Sequence, residues 1–237
     1  MIDLYMWGTA NGLRASVALA ETGLEHRIHK VDLSKGEQKQ PEFLKLNPAG
    51  QIPVIVDRDG PGGRPLTLVQ SGAIVVYACE KAGKFIPTQG LRRAMAGQWF
   101  AFTASDIAGA SAAVFLLDTV APEKAPANVE FFKNRLLTFF RLADRHLAGR
   151  NYLADEISFA DLMLYPNYAL RKPLIDAAGG MENLKRWGER MAARPGVHKG
   201  MNVRQIRTRA ARRFVCAHWS RPFGRLNARS VPCAIRR

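Results

Sequence analysis

Short stretches of the chain alternate apolar and polar residues, which is the period of a β-strand. Ile2, Leu4 and Met6 alternate with Asp3 and Tyr5 in the first predicted strand, and three later stretches are also predicted to be strands. A segment rich in glycine and proline joins the last two as a turn. The further strands are predicted at residues 26–31, 54–56 and 66–69.

Apolar residues at helical spacing follow the first strand, from near Leu13 to Gly23, a residue that suits the left-handed end of a helix. A short helical turn is predicted at residues 41–44. A longer helix is predicted over residues 71–81, with Gly83 ending it. The resulting order is β-α-β-α-β-β-α, with a proline before the third strand, which is typical of a thioredoxin-like domain.

Strand signals nearly vanish after residues 84–91, a linker-like segment that contains glycine, proline and threonine. The chain is therefore predicted to be α/β + all-α: a thioredoxin-like domain over residues 1–83, followed by an all-helical domain over residues 92–203. An S-x-x-D capping box, from Ser158 to Asp161, opens one of the later helices. The helix-like segments cover residues 92–118, 127–147, 159–170 and 183–194, the last being ended by Pro195.

Composition adds few constraints on the body of the chain. The hydrophobic share of 47% suffices for a core. No uninterrupted apolar run reaches the ~18 residues of a membrane span, and the N-terminus lacks the basic region of a secretory signal, so no membrane association is predicted. The cysteines Cys79, Cys216 and Cys233 have neither a CxxC nor a zinc-ligand spacing, which predicts a reduced, cytoplasmic setting and no metal.

Positive charge is concentrated at the end of the chain. The net charge is +15, and residues 202–237 contain ten arginines but no lysine, aspartate or glutamate. We interpret residues 204–237 as an arginine-rich tail, and the leading hypothesis is a stretch of a GC-rich gene read in the wrong frame. The alternatives are an arm for nucleic acid, which makes nucleic acid a partner only through this tail, and a helix that closes over the active site.

Two motifs in the first half of the chain indicate a ligand-binding site. In Gln51-Ile52-Pro53, a proline stands at the start of an apolar strand. Because proline cannot donate to a sheet ladder, backbone groups of Ile52 stay free to pair with an extended ligand. In Gln70-Ser71, a serine able to cap a helix stands where free N–H groups attract a carboxylate. A strand edge beside a helix N-terminus predicts a receptor for a small acidic peptide.

These motifs resemble the glutathione site of the glutathione transferase superfamily. Over roughly residues 1–200 the chain is most similar to the bacterial nu class, whose members act as glutathione-dependent disulfide-bond reductases. Each short string alone is weak evidence for this resemblance, whereas the order and spacing that the strings share are specific to it. The matching strings are Ile2-Asp3-Leu4-Tyr5, Thr9-x-Asn11-Gly12, Lys30-Val31-Asp32-Leu33, Pro41-Glu42-Phe43-Leu44, Asn47-Pro48, Ile52-Pro53, Ser71-Gly72-Ala73-Ile74 and Arg194-Pro195.

The resemblance implies that the reactive thiol belongs to glutathione, the co-substrate, and that Thr9 and Asn11 are catalytic residues that address its sulfur. A thiol of pKa ~8.5 is mostly protonated at neutral pH, and the thiolate is the nucleophile. Hydroxyl and amide donors at a helix start favour the anion, with help from the helix dipole. Thr-x-Asn at a strand–helix junction is also the pattern of an ordinary N-cap, and the two roles are compatible.

The resemblance also implies which residues hold glutathione. Ile52 is expected to pair its backbone with the cysteinyl unit, as an added strand would, and Pro53 is expected to be cis. Gln70 and Ser71 are expected to bind the γ-glutamyl end. Gln38 matches the contact to the glycyl end, and its alternative is a solvated polar loop.

Two further features concern the substrate pocket and the partner subunit. Trp7 is a candidate for the pocket wall, with packing as its alternative. Relatives of the nu class place an arginine in the second helix of the helical domain, where it reaches glutathione in the partner subunit. Residues 129–135 have no arginine at the aligned position, which leaves Lys133 and Arg135 as the candidates.

The sequence thus predicts a cytoplasmic, homodimeric glutathione transferase-like enzyme. Its predicted reaction is the reduction of disulfides or the transfer of glutathione to small electrophiles. One alternative is a conventional conjugating transferase, and another is a non-catalytic glutathione transferase-like binding module. The third is a nucleic-acid binder that acts through the tail.

A protein shortened to end at Val203 is expected to fold, dimerise and turn over glutathione normally, because the tail differs so sharply in composition from the rest. Any salt-sensitive binding to nucleic acid should disappear with the tail. Sedimentation velocity and a glutathione-dependent disulfide-reduction assay compare the two lengths. Loss of the dimer or of glutathione activity on shortening would show that the tail is a working part.

Overall fold

The computed structural model of the chain describes residues 1–88 and 90–202. The predictions for residues 204–237, Cys216 and Cys233 lie outside this part. An α/β half precedes a helical half, and the predicted order β-α-β-α-β-β-α is confirmed. The elements of the first half are β1 (Ile2–Met6), α1 (Ala10–Thr22), β2 (His26–Lys30), α2 (Pro41–Leu46), β3 (Val54–Asp57), β4 (Leu66–Val69) and α3 (Ser71–Ala82), with short 3₁₀ helices at Leu33–Lys35, Glu37–Lys39 and Pro61–Gly63.

The four strands form one mixed sheet in the order β2-β1-β3-β4. β1 runs parallel to β2 and antiparallel to β3, which is itself antiparallel to β4. Val54 is paired with Tyr5 on one side and with Val69 on the other. This register places the end of β1, the start of β3 and the end of β4 at the same end of the sheet. Three segments that carry predicted site residues therefore converge there.

α1 packs on the sheet through its apolar side. Leu13, Val17 and Leu19 are fully buried in the core that they share with β1 and β3. Thr9 is the N-cap, and Gly23 ends the helix with a φ of 78°, a left-handed conformation that glycine adopts without steric cost. The predicted helix end at Gly23 is confirmed.

The helical half differs from the sequence prediction at three helix boundaries. α4 begins at Gly90, inside the predicted linker, and the domain boundaries themselves stay predictions. α7 continues to Ala178 through Pro166 and Pro173, because burial of its apolar face outweighs the hydrogen bonds that the prolines remove. Pro195 opens a further helix, where its missing N–H needs no partner. The helices are α4 (Gly90–Phe102), α5 (Ala108–Phe115), α6 (Pro126–His146), α7 (Phe159–Ala178), α8 (Glu182–Ala192) and α9 (Pro195–Asn202).

One helical stretch of the described residues, Gly90–Val120, is long and apolar enough to cross a membrane by length and composition. It joins α4 and α5 through π-helical turns, and its most apolar 18 residues have a mean hydropathy of 1.6. No uninterrupted apolar run is this long, since polar residues such as Asp106 interrupt it without breaking the helix, and the absence of a membrane partner stays a prediction. α4 packs against α7, and α5 packs against α6. Of that 18-residue window, 28% is buried within the described part of the chain.

The two halves pack together through α1, which contacts both α7 and α9. Gly200 lies against the backbone of Val17, where any side chain would collide. Arg194 Nη2 lies 2.6 Å from Glu21 Oε2, and Glu21 Oε1 accepts a hydrogen bond from the Val197 N–H at 2.8 Å. α1 is thus held by the sheet on one side and by the helical half on another.

The predicted capping box at the start of α7 is confirmed and is fully buried. Asp161 Oδ2 accepts a hydrogen bond from the Ser158 N–H at 2.9 Å, and Ser158 Oγ accepts one from the Ala160 N–H at 3.3 Å. Asp161 Oδ1 accepts from the Leu153 N–H at 3.1 Å and from Trp187 Nε1 at 2.9 Å. Burial raises the pKa of Asp161 to about 6 despite these donors. The carboxylate is charged at neutral pH and joins α7 to α8.

Asp161→Ala is expected to lower the free energy of unfolding by about 3 kcal/mol or more, because buried N–H donors that lose their acceptor cost about 1–3 kcal/mol each. Denaturant unfolding measures the change. Asp176→Ala is the matched control, since Asp176 is an exposed acid of the same helix paired with Lys172. Its loss should cost under about 1 kcal/mol. Equal losses in the two variants would contradict this role of Asp161.

Candidate active site

A pocket opens at the end of the sheet where β1, β3 and β4 converge, and its walls are mainly polar. Residues predicted for the site line it from three separate segments: the start of α1, the segment before β3, and the β4–α3 connection. Asn47 and Gln51, which sequence reasoning did not place in the site, complete the wall. The predicted residues brought together are Asn11, Ile52, Pro53, Gln70 and Ser71.

The segment before β3 presents free backbone groups to this pocket. The Ile52–Pro53 peptide bond is cis, as predicted. Within the described residues, neither the N–H nor the carbonyl of Ile52 has a backbone partner, because the ladder of β3 begins only at Val54. An extended ligand therefore finds room to add to the sheet here as a short strand.

Asn47 holds the loop that leads to Ile52. Its Nδ2 donates to the Gln51 carbonyl at 2.7 Å, and its Oδ1 accepts from the Ala49 N–H at 3.1 Å. The side chain is buried. Its signal in the sequence is the Asn-Pro pair, since asparagine side chains commonly close turns onto the backbone two residues ahead.

Gln70 has a backbone conformation that residues other than glycine rarely adopt, with a φ of 72° and a ψ of 115°. It occupies the N-cap position of α3 without a side-chain cap, and Ser71 is the first helical residue. The prediction that Ser71 caps the helix is therefore wrong, because a capping side chain needs non-helical backbone angles, and those belong to Gln70. Ser71 instead lines the pocket, and its Oγ accepts a hydrogen bond from Arg14 Nη1 at 3.4 Å.

The structure separates the two residues predicted to address the sulfur. Thr9 is the N-cap of α1, and its Oγ1 accepts a hydrogen bond from the Gly12 N–H at 3.3 Å. Asn11 lies in the first turn of the helix, where it is exposed and lines the pocket. Asn11 is therefore placed to donate to a ligand, whereas a contact between Thr9 and the sulfur stays a prediction.

Directly behind the pocket lies Arg14, a residue that the sequence pattern does not single out. It is 2% exposed. Its Nη1 donates to Asn11 Oδ1 at 2.8 Å and to Ser71 Oγ at 3.4 Å, and its Nε donates to the Met163 carbonyl of α7 at 3.2 Å. Desolvation lowers its pKa to about 10, so the guanidinium stays charged at neutral pH. The one hint in the sequence is that Arg14 is the charged residue among the mostly apolar residues that follow Leu13.

The described part of the chain supplies no reactive thiol of its own. Cys79 in α3 is fully buried and unpaired. Burial raises its pKa to about 12, so it is protonated and inert at neutral pH. Thiol chemistry at this pocket therefore calls on the thiol of a ligand.

Gln38 and Trp7 lie outside the pocket wall. Gln38 is in the 3₁₀ helix Glu37–Lys39, and its Oε1 is buried with no hydrogen-bond partner among the described residues. Trp7 follows β1, and its carbonyl accepts from the Thr9 N–H at 2.7 Å. The ligand contacts expected of Gln38 and Trp7 stay predictions.

The two candidates for a cross-subunit contact lie on α6 and have partners within the chain. Lys133 Nζ lies 4.0 Å from Glu130 Oε2. The Arg135 guanidinium lies 4.9 Å above the centre of the Phe139 ring. A contribution of either residue to the site of a partner subunit stays a prediction.

Family models match most of the chain. Residues 2–80 match the glutathione S-transferase N-terminal domain, and residues 108–201 match the glutathione S-transferase C-terminal domain. Among individual relatives, the disulfide-bond oxidoreductase YfcG of Escherichia coli is 33% identical over 209 residues, which cover 87% of this chain and 97% of the relative. The disulfide-bond oxidoreductase YghU of the same species is 27% identical over 222 residues, covering 85% of this chain and 74% of the relative.

Solved structures share the fold. A glutathione transferase from Pseudomonas putida, with one glutathione disulfide bound per subunit, is 30% identical with a TM-score of 0.78, and the match covers 84% of this chain and 90% of that one. A family member from Pseudomonas fluorescens, with two glutathione bound, is also 30% identical, with a TM-score of 0.77 and a match covering 84% and 92%. The predicted fold, a thioredoxin-like domain followed by an all-helical domain, is confirmed.

Gln70→Gly is expected to be at least as stable as the wild type but to bind glutathione more weakly. Glycine relieves the strain of the positive φ, whereas a ligand hydrogen bond worth about 1 kcal/mol, or several-fold in affinity, is lost with the amide. Gln70→Ala is the matched control, since it loses the same amide but keeps the strain. It should bind as weakly and melt at a lower temperature than Gln70→Gly.

Scanning calorimetry and calorimetric titration with glutathione give the two readouts for Gln70. Wild-type affinity in both variants would remove Gln70 from the binding site. A lower melting temperature for Gln70→Gly than for Gln70→Ala would show that the backbone is not strained there.

Proposed function

This chain belongs to the glutathione S-transferase family, and from that premise we propose that it is a glutathione-dependent thiol-disulfide oxidoreductase. Glutathione bound in the pocket supplies the nucleophilic thiolate, and Asn11 donates a hydrogen bond to its sulfur. The names of the relatives YfcG and YghU and the glutathione disulfide in the Pseudomonas putida structure support this reaction.

The observation that carries the proposal is the meeting of three ligand-binding features around one pocket. Asn11 offers an amide, Ile52 offers free backbone groups, and Ser71 opens a helix whose N-terminal N–H groups and dipole attract a carboxylate. Glutathione has a thiol, backbone amides beside that thiol, and a carboxylate at its γ-glutamyl end. One molecule therefore matches all three features.

The reaction proceeds by thiol–disulfide exchange. The glutathione thiolate attacks one sulfur of a disulfide substrate, so that a new S–S bond forms, the old one breaks, and the released thiolate takes a proton from water. A second glutathione thiolate then attacks the glutathione sulfur of the mixed disulfide. Glutathione disulfide forms and the second substrate thiol leaves. Two glutathione molecules are oxidised for each disulfide reduced, which balances the electrons.

Conjugation of glutathione to an electrophile is the second candidate, favoured by 34% identity over 218 residues to glutathione S-transferase 3 of Zea mays. The same thiolate would attack an electrophilic carbon and displace its leaving group. Turnover of the disulfide of mercaptoethanol, compared with turnover of an aryl halide, separates the two activities. A non-catalytic binding module would be retained on immobilised glutathione and turn over neither.

The proposal includes a homodimer in the cytoplasm. Glutathione chemistry of this kind belongs to a reducing compartment. Large apolar side chains of the helical half are exposed on the single chain, which supports a surface covered by a second copy. They are Leu91, Phe115, Leu116, Val120, Phe131 and Leu142.

Asn11→Ala is expected to raise the pKa of the thiol of bound glutathione. A lost charge-assisted hydrogen bond of about 1.5–3 kcal/mol corresponds to about one to two pKa units. Because the thiolate is the reactive form, the rising limb of the pH–rate profile should move to higher pH by the same amount. Affinity should fall less, since the peptide is held elsewhere. Ultraviolet absorbance of the thiolate, titrated with pH, measures the shift.

Thr9→Ala is the comparison variant. Loss of the N-cap should lower stability by about 1 kcal/mol, and any rise in the thiol pKa then measures the contact of Thr9 with the sulfur. A thiol pKa equal to that of the wild type in both variants would sink the proposed thiolate chemistry.

A further inference from the structure

The guanidinium of Arg14 is buried without a negative partner. Among the described residues its hydrogen bonds reach a carbonyl, an amide oxygen and a hydroxyl, and its Nη2 has no acceptor at all. Burying a charge without a partner is costly, so buried cations normally have a carboxylate beside them. Two of the side chains that Arg14 contacts, Asn11 and Ser71, line the pocket. The unpaired charge therefore stands directly behind the surface that a ligand touches.

We propose that Arg14 is a positioning residue that makes both Asn11 and Ser71 donors toward the pocket, and so selects a ligand with an anionic sulfur and a carboxylate. This inference rests on the proposed function and deepens it. Arg14 acts through its two neighbours in the pocket wall.

Arg14 determines which end of the Asn11 amide faces the ligand. A guanidinium has only donors, so the amide atom 2.8 Å from Arg14 Nη1 is the oxygen. The NH₂ group is then left on the other branch of the amide, free to donate into the pocket. Without Arg14 the amide is free to turn over and present its oxygen, which repels a thiolate.

Arg14 orients the hydroxyl of Ser71 in the same way. Its Oγ accepts from Arg14 Nη1 at 3.4 Å, so its hydroxyl hydrogen is directed to another acceptor. Arg14 Nη1 thus orients two donors at once: the Asn11 amide that meets the sulfur and the Ser71 hydroxyl that meets the γ-glutamyl carboxylate. The guanidinium is in turn fixed by the bond from its Nε to the Met163 carbonyl. The helical half therefore takes part in fixing the donors of the α/β half.

The charge of Arg14 reinforces the direction of these donors. No acidic side chain of the described residues forms an ion pair with it, and water is excluded from it. A positive charge in such surroundings is weakly screened and favours the ionised form of a thiol or a carboxyl group nearby. The site is consequently complementary to the anion of glutathione rather than to its neutral thiol.

The test is the thiol pKa of bound glutathione in Arg14→Met, which keeps an apolar stem but removes the donors and the charge. We expect the pKa, followed by thiolate absorbance, to rise by about one unit or more, and turnover of the disulfide of mercaptoethanol at neutral pH to fall about tenfold. Affinity for S-methylglutathione, which has the carboxylate but no thiol, should fall several-fold through Ser71. Arg27→Met, which removes an exposed arginine of β2, is the matched control and should leave all three values unchanged.

A conservative variant and a double variant separate positioning from mere packing. Arg14→Lys keeps the charge and offers only donors, so it should raise the thiol pKa less than Arg14→Met. In an Asn11→Ala background, Arg14→Met should raise the thiol pKa less than it does alone, because the Asn11 amide through which Arg14 mainly acts is already removed. Additive effects would contradict the inference.

The outcomes distinguish this inference from the proposed function. A folded Arg14→Met protein whose bound thiol keeps the wild-type pKa overturns the inference alone. A wild-type complex without thiolate at neutral pH overturns both. If Arg14→Met does not fold, Arg14→Gln decides, because its amide carries no charge and can either donate to or accept from Asn11. The thiol pKa should again rise by about one unit, and a wild-type pKa in a folded Arg14→Gln protein would overturn the inference alone.

Discussion

The position of one buried guanidinium determines how the pocket meets a ligand. Arg14 stands on α1, and its hydrogen bonds reach Asn11 on the same helix, Ser71 on α3 and Met163 on α7. A charged group that water does not reach has few favourable places, so these contacts are costly to break. Three helices from both halves of the chain are thereby held in one arrangement. The orientation of the Asn11 and Ser71 donors toward the ligand follows from this arrangement.

Backbone geometry positions the rest of the site. The register of the sheet, in which Val54 pairs with strands on both sides, gathers the end of β1, the start of β3 and the end of β4. The late start of β3 leaves Ile52 free to pair, and the positive φ of Gln70 turns the chain into α3. Cys79 is buried and inert. In the proposed reaction the chain therefore provides orientation and electrostatics, and glutathione provides the reactive group.

Local features of this arrangement were predictable from the sequence, and long-range ones were not. The order of strands and helices, the helix end at Gly23 and the capping box at Asp161 depend on neighbouring residues, whose pattern is visible in the chain. Arg14 reads like any charged residue of a helix, because the partners that define it lie 57 and 149 residues away. Ser71 reads like an N-cap, because nothing in the sequence reveals the backbone angles of Gln70.

A crystal structure with glutathione bound is the most direct test of the claim that Arg14 orients Asn11 and Ser71 toward this ligand. We predict that the sulfur lies within about 3.5 Å of Asn11 Nδ2, that the cysteinyl backbone pairs with Ile52, and that the γ-glutamyl carboxylate lies at Ser71. Arg14 should still donate to the amide oxygen of Asn11. A sulfur that faces away from Asn11, or glutathione bound outside this pocket, would contradict the claim.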